Sequence, residues 1–169
     1  MAKCQVCRRS GLSVGRFVLC ARCKRQLSVH DGYLTRRRIK RSHLQATVGY
    51  GLRKLLSPVQ EEVYFPWAVN PDTGAMLPFD FFLPSLQMVI EVQGIEHYEF
   101  VSAFHSKLSD LHYRIHLDNL KKDLAIKNGY HYCEVDGRHL EHEWQFVEEF
   151  RRILDDLGRS VSARKKRGS

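Results

Sequence analysis

No apolar run among the 169 residues approaches the ~20 needed to cross a bilayer. The opening Met-Ala-Lys-Cys also lacks the apolar stretch of a secretory signal. These absences predict a soluble intracellular chain without a membrane span, cytoplasmic or nucleoid-associated, or in the host cytoplasm if viral. Acids are nearly missing from the first third, where Asp31 stands alone before Glu61. Cysteine is nearly missing from the rest: after Cys23 only Cys133 follows. There is no internal repeat, so solenoid architectures are set aside.

What is present is strongly segregated. Residues 1–56 hold fourteen Lys/Arg against one acid, a net +13, and residues 57–156 are net −10. Residues 157–169 are net +5, and the whole chain is +8. Two basic flanks around an acidic middle suit a phosphate backbone, where each neutralised phosphate releases counterions. Arg36, Arg37, Arg38, Lys40 and Arg41 form the densest run. They are the expected nucleic-acid contacts, a solvated charge run being the alternative. With 43% hydrophobic residues the chain can bury a real core.

Four cysteines in two CxxC pairs, Cys4/Cys7 and Cys20/Cys23, are separated by twelve residues. Zn²⁺ takes four thiolates at ~2.3 Å, and paired CxxC turns supply them. In a reducing compartment disulfides are disfavoured. The N-terminus is therefore expected to be a structural zinc module, and the arginines and lysines around it favour contact with nucleic acid as well. No Asp-His or His-His strand lies between Cys7 and Cys20, which sets aside a ββα-metal nuclease.

Local signals then predict the elements. Ser57-Pro58-Val59-Gln60-Glu61-Glu62 reads as a helix start, with Ser as N-cap and Pro at N1. Asn70–Gly74 reads as a turn. Residues 77–83 and 87–92 read as a strand pair, 115–127 as a helix with Gly129 just past its end, and 131–135 as a strand. A last amphipathic helix covers about 141–157 and stops at Gly158. The order is helix, strand pair, helix, strand, helix. It predicts an α/β domain with a mixed central sheet flanked by helices. The expected organisation is a Cys4 module over 1–30, a basic connector over 31–56 that is helical in part, a core over 57–158 and a disordered basic tail over 159–169.

Two acids inside an apolar strand pair carry the chemistry. A buried carboxylate is costly unless paired or metal-bound. If the strands are neighbours, Asp80 and Glu91 converge at one sheet end and make an oxygen-rich site for Mg²⁺ or Mn²⁺. Such an ion activates water and offsets charge on a scissile phosphate.

The run Pro78-Phe79-Asp80-Phe81 … Ile90-Glu91-Val92-Gln93-Gly94 … His97 resembles the PD-(D/E)XK nuclease superfamily, in its very-short-patch-repair and phage homing endonuclease-like branch. "HLDNLKKDLAIKNGYHYCEVD" resembles that branch's downstream helix and final strand. The resemblance covers about residues 57–136 and implies a restriction-endonuclease-like fold and a Mg²⁺-dependent DNA endonuclease. It implies Asp80 and Glu91 as metal ligands and His97 as a general acid or base or as a residue that steadies the phosphate. Asp118 would complete the site, with Lys121 nearby. Gln93 stands where the superfamily usually has Lys and this branch often has Asp. Glu61 or Glu62 would match an acid on a first helix. The alternative function is a non-catalytic nucleic-acid-binding protein that keeps a degenerate nuclease fold. The substrate is expected to be DNA, whether branched, mismatched or site-specific, and a dimer is open. Asp118 could instead pair with Lys122 on a solvated face. His105, His112 and His116 are expected to be surface histidines, and Tyr98, Phe100 and Phe104 to pack in the core rather than stack on bases.

Overall fold

The computed structural model describes the backbone of residues 2–14, 16–37, 41–138, 140 and 142–167. A hairpin of β1 (Leu12–Val14) and β2 (Phe17–Leu19) leads into α1 (Ala21–Gln26). Then come β3 (Leu27–Val29), β4 (Leu34–Arg36) and α2 (His43–Leu55). The long strands follow: β5 (Gln60–Val69), β6 (Met76–Leu83) and, after a 3-10 turn, β7 (Met88–Gln93). α3 (Leu108–Lys127), β8 (His131–Asp136) and α4 (Glu143–Arg167) complete the chain.

Strands β3 to β8 form one sheet in chain order. Every pairing is antiparallel except the last, β7 with β8, which α3 connects as a crossover. The expected mixed sheet flanked by helices is present. On one face Phe81, Ile90 and Val135 pack with Val48 and Leu52 of α2 and Phe146 and Phe150 of α4. On the other, Val63, Phe65, Phe79 and Val89 pack with Ala125 of α3. Helices α2 and α4 approach closely because Gly51 carries no side chain: a Cβ there would sit 2.7 Å from the Phe146 ring. A third cluster joins Cys4, Phe17 and Leu19 to Tyr64 and Met76, so the cysteine module packs directly on strands β5 and β6.

The strand pair and the turn at Asn70 stand where expected; Asn70 Oδ1 accepts from the amides of Asp72 and Thr73. Gly129 closes α3 with φ +80. Three readings need correction. Ser57–Glu62 is no helix start: β5 begins at Gln60, and Val63, Tyr64 and Phe65 are buried in the sheet. The cap signature was local, whereas that burial is decided by the rest of the fold. Glu61 and Glu62 therefore lie on a strand, not on a first helix. The helix that precedes the long strands, between β4 and β5, lies in the basic connector, where Ser42 and Gln45 form a capping box and Leu44, Val48 and Leu52 face the core. Finally, α3 starts at Leu108 rather than 115, and α4 continues past Gly158 into the segment expected as an unstructured tail.

Candidate functional site

Strands β6 and β7 stop pairing in the ordinary way at Phe81 opposite Ile90. Two residues earlier on β6, Phe79 lies in the α3-side core, while Phe81 lies in the α2/α4-side core. A regular strand would put both on one face. The alternation slips at Asp80, and the ladder opens there. Backbone amides left without ladder partners are capped by side chains. The Asp80 amide donates to Glu91 Oε1 at 3.3 Å, and the Val92 amide donates to Asp80 Oδ2 at 2.9 Å. The two acids are thus brought together at one sheet end.

Their other oxygens are engaged by neighbouring helices. Gln45 Nε2, on the first turn of α2, donates to Asp80 Oδ1 at 2.7 Å. Lys121 Nζ, on α3, donates to Glu91 Oε2 at 2.5 Å. Glu91 is almost fully buried. That burial pushes its carboxyl up to about 8; Lys121 pulls it back down, and Asp80 and Asp118 push it further up. A carboxyl shifted so far by burial among specific charges, at the wall of a cleft, is a feature that marks functional sites.

Beside the acids, His97 Nδ1 lies 2.7 Å from Asp118 Oδ2, and Arg114 Nη1 lies 3.4 Å from His97 Nε2. Asp118 therefore pairs with His97, not with Lys122. With Nδ1–H donating to Asp118, Nε2 presents its lone pair. Asp80, Glu91, His97, Asp118 and Lys121 all line one cleft of about 760 Å³, closed on its sides by α2 and α3. Gln93 does not line it; the residue is buried at the end of β7, in register with Asp136. Gln45 and Arg114 went unread in the sequence. The capping box was the available signal for Gln45, while nothing local distinguished Arg114.

The basic arm is divided. Arg36 pairs with Glu62 at 3.0 Å and donates to the Tyr64 hydroxyl, and Arg41 pairs with Glu61 at 2.5 Å. Arg53 of α2 also holds Glu61. Arg37 donates to the Leu27 carbonyl and, with Arg25 and Arg36, lines a separate recess. Arg38 and Lys40 lie outside the described residues. His105 is buried, not on the surface, whereas Phe100 and Phe104 are exposed, not in the core.

At the N-terminus the Sγ atoms of Cys4, Cys7, Cys20 and Cys23 all lie within 4.8 Å of one another. Cys7 is 3.6 Å from both Cys20 and Cys23. Four ligands at ~2.3 Å around a tetrahedral ion stand ~3.8 Å apart, so the quartet has the size and chemistry of a zinc site. Cys20 caps α1, and the Cys23 amide holds its thiol down to about 6. Burial pushes Cys23 the other way.

Among the described residues no helix is long and apolar enough to cross a membrane. No family model and no solved structure matches the chain. Part of it is similar to "Uncharacterized protein 094L" of Frog virus 3 (isolate Goorha), 40% identical over 76 residues. That stretch is 44% of this chain and 49% of the viral protein, so the chain spans about half the length of the relative it matches.

Proposed function

We propose that the chain is a metal-dependent DNA endonuclease of the PD-(D/E)XK type, with a restriction-endonuclease-like core and a structural zinc module. The observation that supports it most is the meeting of Asp80 and Glu91 where the β6–β7 ladder opens into a cleft. The donor set fits a hard divalent cation such as Mg²⁺ or Mn²⁺, since both ligands are carboxylates. An ion held there would acidify water and offset charge on a phosphate.

The chain's own residues supply the rest. His97 Nε2 is oriented as a proton acceptor by the Asp118 contact to Nδ1. Arg114, within reach of that nitrogen, can turn to a phosphate oxygen. Lys121 holds Glu91 until a cation takes its place. Gln93 takes no direct part, because it does not line the cleft. A non-catalytic DNA-binding protein on the same fold is the second reading, favoured by that position of Gln93.

The test is cleavage of supercoiled, linear, mismatched and branched DNA with Mg²⁺ or Mn²⁺ against EDTA. Asp80→Asn and Glu91→Gln keep shape but remove charge. Each should cost several kcal/mol of transition-state stabilisation, more than about 10²-fold in rate, with folding and DNA binding retained. Wild type that cuts none of these with either ion would replace the nuclease by the binding protein.

A further inference from the structure

Among the described residues, eleven large hydrophobic side chains are exposed, and six of them fall between Ile95 and Ile115. Two of these six border the cleft. Phe104, 59% exposed, and Tyr113, 42% exposed, both line the cleft that holds Asp80 and Glu91. The Tyr113 ring is held at its hydroxyl. The Tyr113 hydroxyl accepts from Asn70 Nδ2 at 2.9 Å, and Asn70 is itself buried in its turn. The loop before Phe104 is anchored by buried His105, whose Nδ1 accepts from the Val101 amide at 3.2 Å. The cleft therefore presents exposed aromatic surfaces beside Arg114, a cation on the turn that carries Tyr113.

Both rings border the same cleft of about 760 Å³ that holds the two acids. Exposed rings and an adjacent cation are what a single strand needs: bases stack on the rings while the backbone meets positive charge.

We infer that Phe104 and Tyr113 form a stacking rim, and that the substrate is DNA whose bases are unpaired at the scissile phosphate, as in a single strand or the open arm of a branch. This rests on the nuclease reading of the same cleft and names its substrate class. The rim reads unstacked bases, while Arg114 and the basic flank take the phosphates.

The test is equilibrium binding in EDTA, where no cleavage occurs. The probes are a single-stranded oligonucleotide carrying 2-aminopurine, a duplex with a single-stranded arm, and a blunt duplex. Wild type should bind the first two at least about tenfold more tightly than the blunt duplex and should quench the 2-aminopurine. Phe104→Ala and Tyr113→Ala should each weaken binding to the unpaired probes by about tenfold, the scale of one base–aromatic stack. Neither should change binding to the blunt duplex. Tyr113→Phe and Phe104→Trp, which keep a ring, should bind as wild type does. Blunt duplex bound as tightly as the single strand would overturn the inference, as would alanine variants that bind unpaired DNA unchanged. So would Phe104→Ala turning a dimer into a monomer in sedimentation, which would assign the rim to a second copy of the chain. Mg²⁺-dependent cleavage without any preference for unpaired DNA would sink the rim and leave the nuclease. Preference without cleavage would do the reverse.

Discussion

At the scale of single residues, Glu91 ties chemistry to pH. Burial pushes its carboxyl up to about 8, against 4.5 for the same group in a solvated chain. Between those values the folded protein holds a proton that the unfolded chain has released. Stability should therefore fall as pH rises from about 4.5 towards about 8, and Glu91→Gln should remove that slope. Chemical denaturation at half-unit pH steps for both proteins would show it; parallel curves would refute it. The same proton competes with a cation, because a carboxylate ligand must be deprotonated. Mn²⁺ affinity by calorimetry should rise with pH up to about 8 and level above it. An affinity flat between pH 6 and 8 would place the ion elsewhere. The Asp80–Glu91 meeting was legible in the sequence, since two acids in adjacent apolar strands have few other reasons to be there. The Asp118–His97 contact was not, because it depends on how α3 lies over the end of β7.

At the scale of elements, the cysteine module does more than close its own loop. Cys4, Cys20 and Cys23 pack in one cluster with Tyr64 of β5 and Met76 of β6, and the Met76 amide donates to the Gln5 carbonyl at 2.8 Å. Losing the ion should then loosen the far ends of the central strands as well as the N-terminus. Cys20→Ser should lose the one bound zinc in elemental analysis. It should also lower the melting temperature of the whole protein and not only of a minor transition. Zinc absent from wild type purified without chelator would dispose of the site; zinc loss with an unchanged melt would dispose of the coupling. The cysteine spacing made this element readable because four ligands of one chemistry were required. The helix–strand exchange between 43 and 69 was not read for the opposite reason. Ser57-Pro58 carried a strong local helix signal, while the alternative, a strand burying Val63 and Phe65, becomes favourable only when the α3-side core exists to receive it. The weaker box of Ser42 and Gln45 marked the helix that does form, and its Gln45 then reaches Asp80.

At the scale of the whole molecule, the charge asymmetry is the property that reaches furthest from the site. The +13 of residues 1–56 enters the sheet through β3 and β4, at the opposite edge from β8. The basic third thus occupies one edge of the sheet and, through α2, also packs over the later strands. Yet not every cation in it is available to a phosphate. Arg36 and Arg41 already face Glu62 and Glu61, so their charges are largely balanced within the protein. Arg37 is different: its partner is the neutral Leu27 carbonyl, which leaves its full charge on the surface beside Arg25. If the basic flank holds DNA, the salt dependence of binding counts the phosphates neutralised, at about 0.7 to 0.9 per contact. Arg37→Gln should therefore flatten the slope of log K against log salt by nearly that amount for a single-stranded oligonucleotide. Arg41→Gln should change it far less, because Arg41 is already held on Glu61, a carboxylate it shares with Arg53. Titrations at four salt concentrations separate the two. Equal slopes for wild type and Arg37→Gln would show that this recess meets no phosphate, and would leave the cleft and its rim to carry binding alone.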